Sequence, residues 1–223
     1  MPVELEVLAD AEAVAERGAE IVVAQADAAV EARGQFSFAV SGGHTPWAML
    51  ALLGDRLPWN RVAVFQVDER VAPLGSPERN LTRLLESLPP AGRARVNAMP
   101  VDAADLETAA ATYTSTLPER LDLVHLGLGA DGHTASLVPD DPVLDVADQN
   151  VATTREYRGR RRMTLTYPAI DRARMVLWLV TGEDKADALE RLCSGDRSIP
   201  AARIEAPRSL ILADRAAAGG RAP

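Results

Sequence analysis

The sequence VHLGLGADGHTASLVP, residues 124–139, passes from an apolar run into a glycine-rich turn. Gly127, Gly129 and Gly132 have the G-x-G-x-x-G spacing with which dinucleotide-binding proteins hold a pyrophosphate. That function also requires a long helix after the third glycine and an acidic residue at the end of the next strand. Pro139 leaves room for about two helical turns, and no apolar strand lies near residue 152. The glycines therefore indicate a ligand site at the end of a strand, without a nucleotide cofactor.

Segments with strand and helix patterns alternate along the chain. Several of the strand segments are apolar on both faces, which is typical of a parallel sheet covered by helices on both sides. We therefore predict an α/β fold with a mostly parallel, Rossmann-like sheet. Its strands are predicted at 36–40, 62–67, 95–100, 121–129, 162–170, 174–182 and 209–214, and its helices at 10–33, 46–53, 79–88, 105–117 and 183–193.

No linker divides the chain. We predict one α/β catalytic domain over residues 1–215 and a frayed tail over 216–223. Residues 140–161 are rich in Asp, Gln, Asn, Thr and Arg, and we expect them to run over the surface.

The composition limits the classes of function. The 223 residues carry a formal net charge of -8, which disfavours nucleic acid and anionic membranes as partners because both attract basic surfaces. Cys193 is the only cysteine, so neither an intrachain disulfide nor a cysteine metal cluster can form. The first residues lack the positive charge of a signal peptide, and no apolar run is long enough to span a membrane. We expect a cytoplasmic protein that binds a small molecule, and its oligomeric state stays open.

Chemically useful side chains follow several predicted strands. Residues 41–46, SGGHTP, lead into a helix, whose N-terminal N–H groups favour an anion such as phosphate; a capped turn is the structural alternative. Residues 68–70, DER, contain an arginine that can hold phosphate, although a solvated loop is the other interpretation. Residues 182–185, GEDK, follow the strand at 174–182. Because the carboxyl ends of parallel strands meet at one edge of a sheet, we expect these segments to converge on one crevice.

His133 follows the glycine turn. An imidazole changes charge near neutral pH and suits general base catalysis, although many histidines are purely structural. A serine hydrolase triad has no support, because no serine lies in a G-x-S-x-G turn. His44 and His125 show no metal-ligand spacing with His133, so we predict that the site holds no metal.

Five motifs have the order and spacing of a known family and cover most of the chain. They are SGGHTP (41–46), VDERVAPLGSPERN (67–80), LGLGADGHTASLVP (126–139), RMTLT (162–166) and TGEDKADAL (181–189). Together they resemble the 6-phosphogluconolactonases. DGHTASL is the most specific part, and Val138 stands where the family usually has phenylalanine.

The resemblance implies a sugar-phosphate isomerase and deaminase-like fold. It also implies hydrolysis of 6-phosphoglucono-δ-lactone to 6-phosphogluconate in the oxidative pentose phosphate pathway, without a metal or other cofactor. His133 would be the general base, oriented by either Asp131 or Asp68, and N–H groups of the 129–132 turn are candidate oxyanion donors. The residues expected to bind substrate and phosphate are Ser41, Gly42, Gly43, His44, Thr45, Arg70, Gly132, Arg162 and Lys185.

Two alternative functions are weaker. In amino-sugar phosphate deaminases the D-G-H segment continues into Asn-Glu-Pro, and the glutamate partners the histidine. Here Leu137, Val138 and Pro139 occupy the corresponding positions, so that glutamate is missing. A sugar-phosphate sensor that regulates transcription would need a basic DNA-binding segment, whereas the predicted N-terminal helix is acidic.

Overall fold

The computed structural model describes residues 4–219. Its strands are β1 (Glu4–Leu8), β2 (Phe36–Val40), β3 (Val62–Gln66), β4 (Asp68–Arg70), β5 (Val96–Asn97), β6 (Leu123–Leu126), β7 (Val151–Thr153), β8 (Arg162–Leu165), β9 (Val176–Val180) and β10 (Ser209–Asp214). Its α-helices are α1 (Ala11–Arg33), α2 (His44–Ala51), α3 (Asn80–Ser87), α4 (Pro90–Arg93), α5 (Leu106–Thr116), α6 (Tyr167–Asp171) and α7 (Ala186–Ser194). Short 3-10 turns span Trp59–Arg61, Pro142–Asp145, Glu183–Lys185 and Ala201–Arg203.

Seven strands form one sheet in the order β1-β10-β9-β6-β2-β3-β5. Every neighbouring pair in this sheet is parallel, so the prediction of a mostly parallel sheet is confirmed. Strand β6 is the central strand of the sheet, with three strands on each side of it. The glycine turn that follows β6 therefore lies at the middle of the carboxyl edge. This is the edge at which open α/β sheets bind their ligands.

Three strands form a second, antiparallel sheet in the order β4-β8-β7. Val67 joins the two sheets: its N–H donates to the Val40 carbonyl at 3.0 Å, and its carbonyl accepts from the Leu165 N–H at 2.8 Å. The segment predicted as one strand at 162–170 is thus shorter, ends in α6, and belongs to the small sheet. The small sheet places residues 68–70 and 162 beside the carboxyl edge of the large one.

Helices pack on both faces of the large sheet, as predicted. Helices α1, α2 and α3 bury Val14, Met49 and Leu84 in one apolar core. Helices α5 and α7 bury Tyr113 and Leu189 in the core on the other face. Two covered faces explain why the central strands are apolar on both sides.

Helix α1 begins and ends at capping residues. The Asp10 side chain accepts from the Ala13 N–H at 2.9 Å, and Gly34 ends the helix with a left-handed φ of 76°. Its buried positions form one stripe, whereas charged residues such as Glu16 and Glu20 are exposed. Within residues 4–219, no helix is both long and apolar enough to cross a membrane.

Three segments differ from the sequence-based expectations or extend them. Strand β1 was not predicted, because the charged residues of ELEVL resemble those of a surface loop; it pairs only with β10, at the edge of the sheet. Strand β7 was missed because it spans three residues inside the polar segment 140–161. In the segment predicted as a frayed tail, Ala217 and Ala218 are buried and donate backbone hydrogen bonds to Asp214, and residues 220–223 lie outside the described residues.

Candidate active site

A cavity of about 180 Å³ opens at the carboxyl edge of the large sheet, beside the small sheet. It is lined by segments that follow β2, β3, β6 and β9, which are far apart in the sequence. The predicted site residues among its lining are Ser41, Gly42, Asp68, Arg70, His133, Arg162 and Lys185. The other predicted residues lie just outside the lining: Gly43, His44, Thr45, Asp131 and Gly132.

The glycine turn supports the imidazole of His133. A β-carbon at Gly129 would lie 2.1 Å from His133 Nδ1, so only glycine leaves room for the ring. Gly132 has a φ of 80°, and a β-carbon there would lie 2.5 Å from Ile199 Cβ. The turn closes through hydrogen bonds from Gly129 N to the His133 carbonyl at 2.8 Å and from Gly132 N to the Gly129 carbonyl at 2.9 Å. The spacing that resembles a dinucleotide fingerprint thus positions a histidine.

Asp131 is the carboxylate that contacts His133. Its Oδ1 lies 2.5 Å from His133 Nδ1 and also accepts from the His133 backbone N–H at 3.2 Å. Burial raises the pKa of the Asp131 carboxyl, but the hydrogen bond and charge interaction with His133 outweigh it and lower the pKa to about 2. An ionised carboxylate only accepts hydrogen bonds, so Nδ1 carries the proton. Nε2 of the neutral ring then keeps a lone pair.

Asp68, the other candidate partner of His133, has different contacts. It is buried, and its Oδ2 accepts from Ser136 Oγ at 2.6 Å while its Oδ1 accepts from Asn80 Nδ2 at 3.2 Å. The Arg162 guanidinium lies next to it, with Nη1 3.5 Å from Ser136 Oγ. The structure therefore assigns the imidazole contact to Asp131 and places Asp68 in the cavity wall as a buried carboxyl group.

The loop at 41–45 is divided between the cavity and the surrounding structure. Ser41 is buried in the cavity wall, and its Oγ has no hydrogen-bond partner among residues 4–219. Gly42 allows the close approach of Asn80, whose Oδ1 would lie 2.2 Å from a β-carbon at position 42. Thr45 Oγ1 is instead 2.8 Å from Thr181 Oγ1, and the exposed His44 lines a neighbouring cavity. His44 and Thr45 are the first two residues of α2 and lie outside the lining of this cavity, and their binding of phosphate stays a prediction.

Three cationic side chains line the cavity. Arg70 is held by a hydrogen bond from Nη1 to the Glu78 carbonyl at 2.9 Å. Arg162 is buried, and this burial lowers its pKa even though Asp68 acts in the opposite direction. Lys185 Nζ lies 2.8 Å from Asp184 Oδ2, and a quarter of its side chain is exposed. Lys185 is also the only lysine in the chain, where all other basic side chains apart from histidine are arginines.

The alternation of β4 separates the roles of three adjacent charges. Asp68 and Arg70 face the cavity, whereas Glu69 points to the opposite side and is fully buried. Glu69 accepts from the backbone N–H groups of Asn80 and Leu81 at 2.7 and 2.8 Å, so it fixes the start of α3. Side chains alternate between the two faces of a strand, so the sequence DER could have predicted that Asp68 and Arg70 share a face and that Glu69 lies on the other. The alternative interpretation of residues 68–70 as a solvated loop did not include this alternation.

Residues not predicted from the sequence complete the site. Asn80 lies in the cavity wall between Gly42 and Asp68, and it is the last residue of the motif at 67–80. Tyr157 donates a hydrogen bond from its hydroxyl to Asp131 Oδ2 at 2.9 Å. No sequence signal marked Tyr157, because it lies in the polar segment 140–161.

The fold and site define a protein of the sugar-phosphate isomerase and deaminase-like class. A sequence profile described as glucosamine-6-phosphate isomerases/6-phosphogluconolactonase matches residues 9–212. The chain belongs to this family.

Similar proteins come from several bacteria. A 6-phosphogluconolactonase from Synechocystis is 36% identical over 95% of both chains, and one from Streptomyces coelicolor is 35% identical over 96% of this chain and 93% of its own length. Among solved structures, 6-phosphogluconolactonase from Thermotoga maritima has a TM-score of 0.83 and 25% identity, covering 95% of this chain and 98% of that chain. A monomeric glucosamine-6-phosphate deaminase has the same TM-score at 18% identity, covering 98% of this chain and all of its own, so it shows the shared fold alone.

Proposed function

We propose that this chain hydrolyses 6-phospho-D-glucono-1,5-lactone to 6-phosphogluconate in the oxidative pentose phosphate pathway. Full-length relatives with this name at more than one third identity support the reaction. The observation that carries the mechanism is the His133–Asp131 pair in a cavity with three cationic side chains.

His133 acts as the general base in this mechanism. Its Nε2 takes a proton from water as the water oxygen attacks the lactone carbonyl at C1. The tetrahedral intermediate then collapses, the bond between C1 and the ring oxygen breaks, and the imidazolium returns the proton to that oxygen. Asp131 keeps the proton on Nδ1 and stabilises the imidazolium that forms. A lactone is an activated ester, so water assisted by a base is a sufficient nucleophile.

Arg70, Lys185 and the backbone at Gly42 bind the substrate phosphate, whereas the Ser41 N–H already donates to His125 Nδ1 at 3.3 Å. Two cations suit a dianion, and the Ser41 hydroxyl, which has no hydrogen-bond partner among residues 4–219, supplies a further donor. Holding the phosphate fixes the sugar ring relative to His133, which contributes orientation to the rate. The N–H groups of Gly129 and Gly132 already bond within the turn, so they are not free to stabilise the oxyanion.

The deaminase alternative has less support at the level of side chains. Leu137 and Val138 are buried apolar residues where that reaction needs an acid beside the histidine. Asp68, which would abstract the proton, is held by Ser136 and Asn80. A sensor would share the cavity but would not turn the lactone over.

The test is a coupled assay in which 6-phosphogluconate is detected as it forms from freshly generated lactone, corrected for spontaneous hydrolysis. The purified protein should accelerate the reaction in proportion to its concentration. Binding of 6-phosphogluconate without acceleration would support the sensor instead. Ammonia release from glucosamine 6-phosphate would support the deaminase.

A further inference from the structure

Tyr157 lies near the end of the hairpin that connects β7 and β8. Arg158 and Gly159 form the tip with positive φ values of 52° and 78°, the geometry of a tight two-residue turn. The Tyr157 N–H donates to the Arg160 carbonyl at 2.9 Å, which closes the turn. Arg160 in turn pairs with Glu78, in the loop between β4 and α3, at 2.5 Å. The hairpin is therefore closed at its tip and tied to the loop between β4 and α3, which gives Tyr157 a defined position.

The side chain of Tyr157 contacts both members of the His133–Asp131 pair. Its hydroxyl donates to Asp131 Oδ2 at 2.9 Å, while Asp131 Oδ1 contacts His133 Nδ1. Its ring meets the imidazole edge to face, with centroids 5.7 Å apart and planes at 62°. Each oxygen of Asp131 thus has its own donor, and the carboxylate cannot rotate without losing one of them.

Two guanidinium groups pack on the Tyr157 ring. Arg158 Cζ lies 5.1 Å from the ring centroid and Arg162 Cζ lies 5.0 Å from it, within the range of cation–π attraction. Arg162 also lines the cavity, so the Tyr157 ring contacts both a cationic side chain of the cavity and the His133–Asp131 pair. Burial and the Asp131 carboxylate raise the pKa of the Tyr157 hydroxyl, although both arginines oppose them. The hydroxyl consequently keeps the proton that it donates.

We infer that Tyr157 is a positioning residue for the proposed hydrolysis, acting through Asp131 on the orientation of the His133 imidazole. The hydroxyl fixes the torsion of the Asp131 carboxylate, and the carboxylate fixes Nδ1 and hence the direction of Nε2. The inference rests on the proposed function for its effect on turnover, but the contacts themselves do not depend on substrate.

The first experiment compares wild type with Tyr157→Phe, which removes the hydroxyl and keeps the ring. In metal sites, groups that orient a functional histidine typically contribute about 10- to 100-fold. We expect Y157F to lower kcat by about tenfold and to change KM by less than about twofold. Tyr167→Phe is the matched control, because the Tyr167 hydroxyl donates a single hydrogen bond to the Pro200 carbonyl and lies outside the cavity lining. Y167F should keep the wild-type kcat.

A double-mutant cycle separates positioning through Asp131 from a general loss of structure. If Tyr157 acts through Asp131, adding Y157F to Asp131→Asn should lower kcat by less than about twofold further. A loss of the same size in the D131N background as in wild type would overturn the inference. So would a Y157F variant with unchanged kcat.

Proton NMR tests the same contacts without substrate. The Nδ1 proton of His133 should give a far-downfield signal, identified by its absence from His133→Asn. We expect this signal to shift or broaden in Y157F and to stay unchanged in Y167F. An unchanged signal in Y157F would overturn the inference even if the wild-type enzyme hydrolyses the lactone. Absence of lactone hydrolysis in wild type overturns the proposed function instead, and the NMR comparison still decides the role of Tyr157.

Discussion

Gly129 lies directly against the imidazole of His133: a β-carbon on Gly129 would be 2.1 Å from His133 Nδ1 and 2.6 Å from Asp131 Oδ1. Both distances are far below van der Waals contact, so any side chain at position 129 must displace the His133–Asp131 pair. The second glycine of the G-x-G-x-x-G spacing is therefore required by the position of the His133 ring.

Gly129→Ala should abolish most of the activity while the fold stays intact. A misplacement of about 1 Å at a catalytic group typically costs about 100-fold, and we expect a fall in kcat of at least that size. Ala130→Ser is the matched control, since Ala130 lies in the same turn and is exposed. Lactone turnover and thermal unfolding of both variants are the measurements. Wild-type turnover by G129A would show that the ring position does not matter.

His133→Asn should lower kcat by about 100-fold or more, because general base catalysis typically contributes about 10²–10⁴-fold. Asparagine can keep a hydrogen bond to Asp131, and His133 lies in a surface turn, so the unfolding temperature should change little. The assay needs the spontaneous rate subtracted at each substrate concentration. Near-normal turnover in a folded sample contradicts the role of His133.

The convergence of the site could be predicted from the sequence, whereas its pairings could not. Parallel strands bring their carboxyl ends together whatever the side chains are, so Ser41, Arg70, His133 and Lys185 were expected in one crevice. Which carboxylate orients His133 depends on how a turn packs. Asp131 and Asp68 were equivalent candidates until the structure placed Ser136 on Asp68.

The other features that could not be predicted from the sequence depend on contacts between residues that are far apart in the chain. Tyr157 reaches Asp131 across 26 residues, through a hairpin whose position depends on β8 and on Glu78. No local pattern reports such a contact, because the segment resembles any polar loop. The small sheet was missed for a similar reason: β4 and β7 have three residues each, too few for a periodic signal.

Lys185→Ala should weaken catalysis mainly for the phosphorylated substrate. A charge-assisted contact contributes about 1.5–3 kcal/mol, so kcat/KM should fall about 10- to 150-fold for the phosphorylated lactone. For unphosphorylated gluconolactone the change should stay within about twofold. Lys185→Arg tests whether the compact ammonium is needed in a chain that otherwise uses arginine. Equal losses on both substrates would show that Lys185 does not bind phosphate.

Arg70→Ala should show the same selectivity, because the Arg70 guanidinium lines the cavity and is oriented by the Glu78 carbonyl. Arg83→Ala is the control: Arg83 is more than half exposed, pairs with Glu86, and lies outside the lining of this cavity. Kinetics on both lactones distinguish a phosphate contact from a general effect of one lost positive charge. The selective loss should appear in R70A and not in R83A.

Activity should survive exhaustive chelation. Among residues 4–219, no group of three or more His, Cys, Asp or Glu side chains is arranged to hold a metal ion. The proposed base is activated by Asp131 and needs no bound metal to deprotonate water. The measurement is turnover after dialysis against EDTA, with and without added divalent ions. Loss of activity that a divalent ion restores would contradict a metal-free reaction.

The acid limb of the pH profile should not come from Asp131 or His125. The carboxyl pKa of Asp131 is lowered to about 2, so Asp131 stays ionised through the working range and does not produce the limb. Complete burial lowers the pKa of His125 to about 3, so His125 stays neutral there as well. We attribute the limb to the proposed base, His133, and the expected sign follows: the rate falls as pH falls, because the proton acceptor is lost.

Unphosphorylated gluconolactone, if it is turned over, gives the cleaner profile. The phosphate of the natural substrate has a second ionisation near about pH 6, which overlaps the limb of a histidine. With the unphosphorylated lactone, kcat/KM should still decline as pH is lowered through the range in which histidines titrate, about pH 8 to pH 5. His133→Asn should remove this decline along with most of the rate. A wild-type rate that stays flat down to about pH 4 would mean that no histidine acts as the base, and the buried carboxylate of Asp68, in the same cavity, would become the leading candidate.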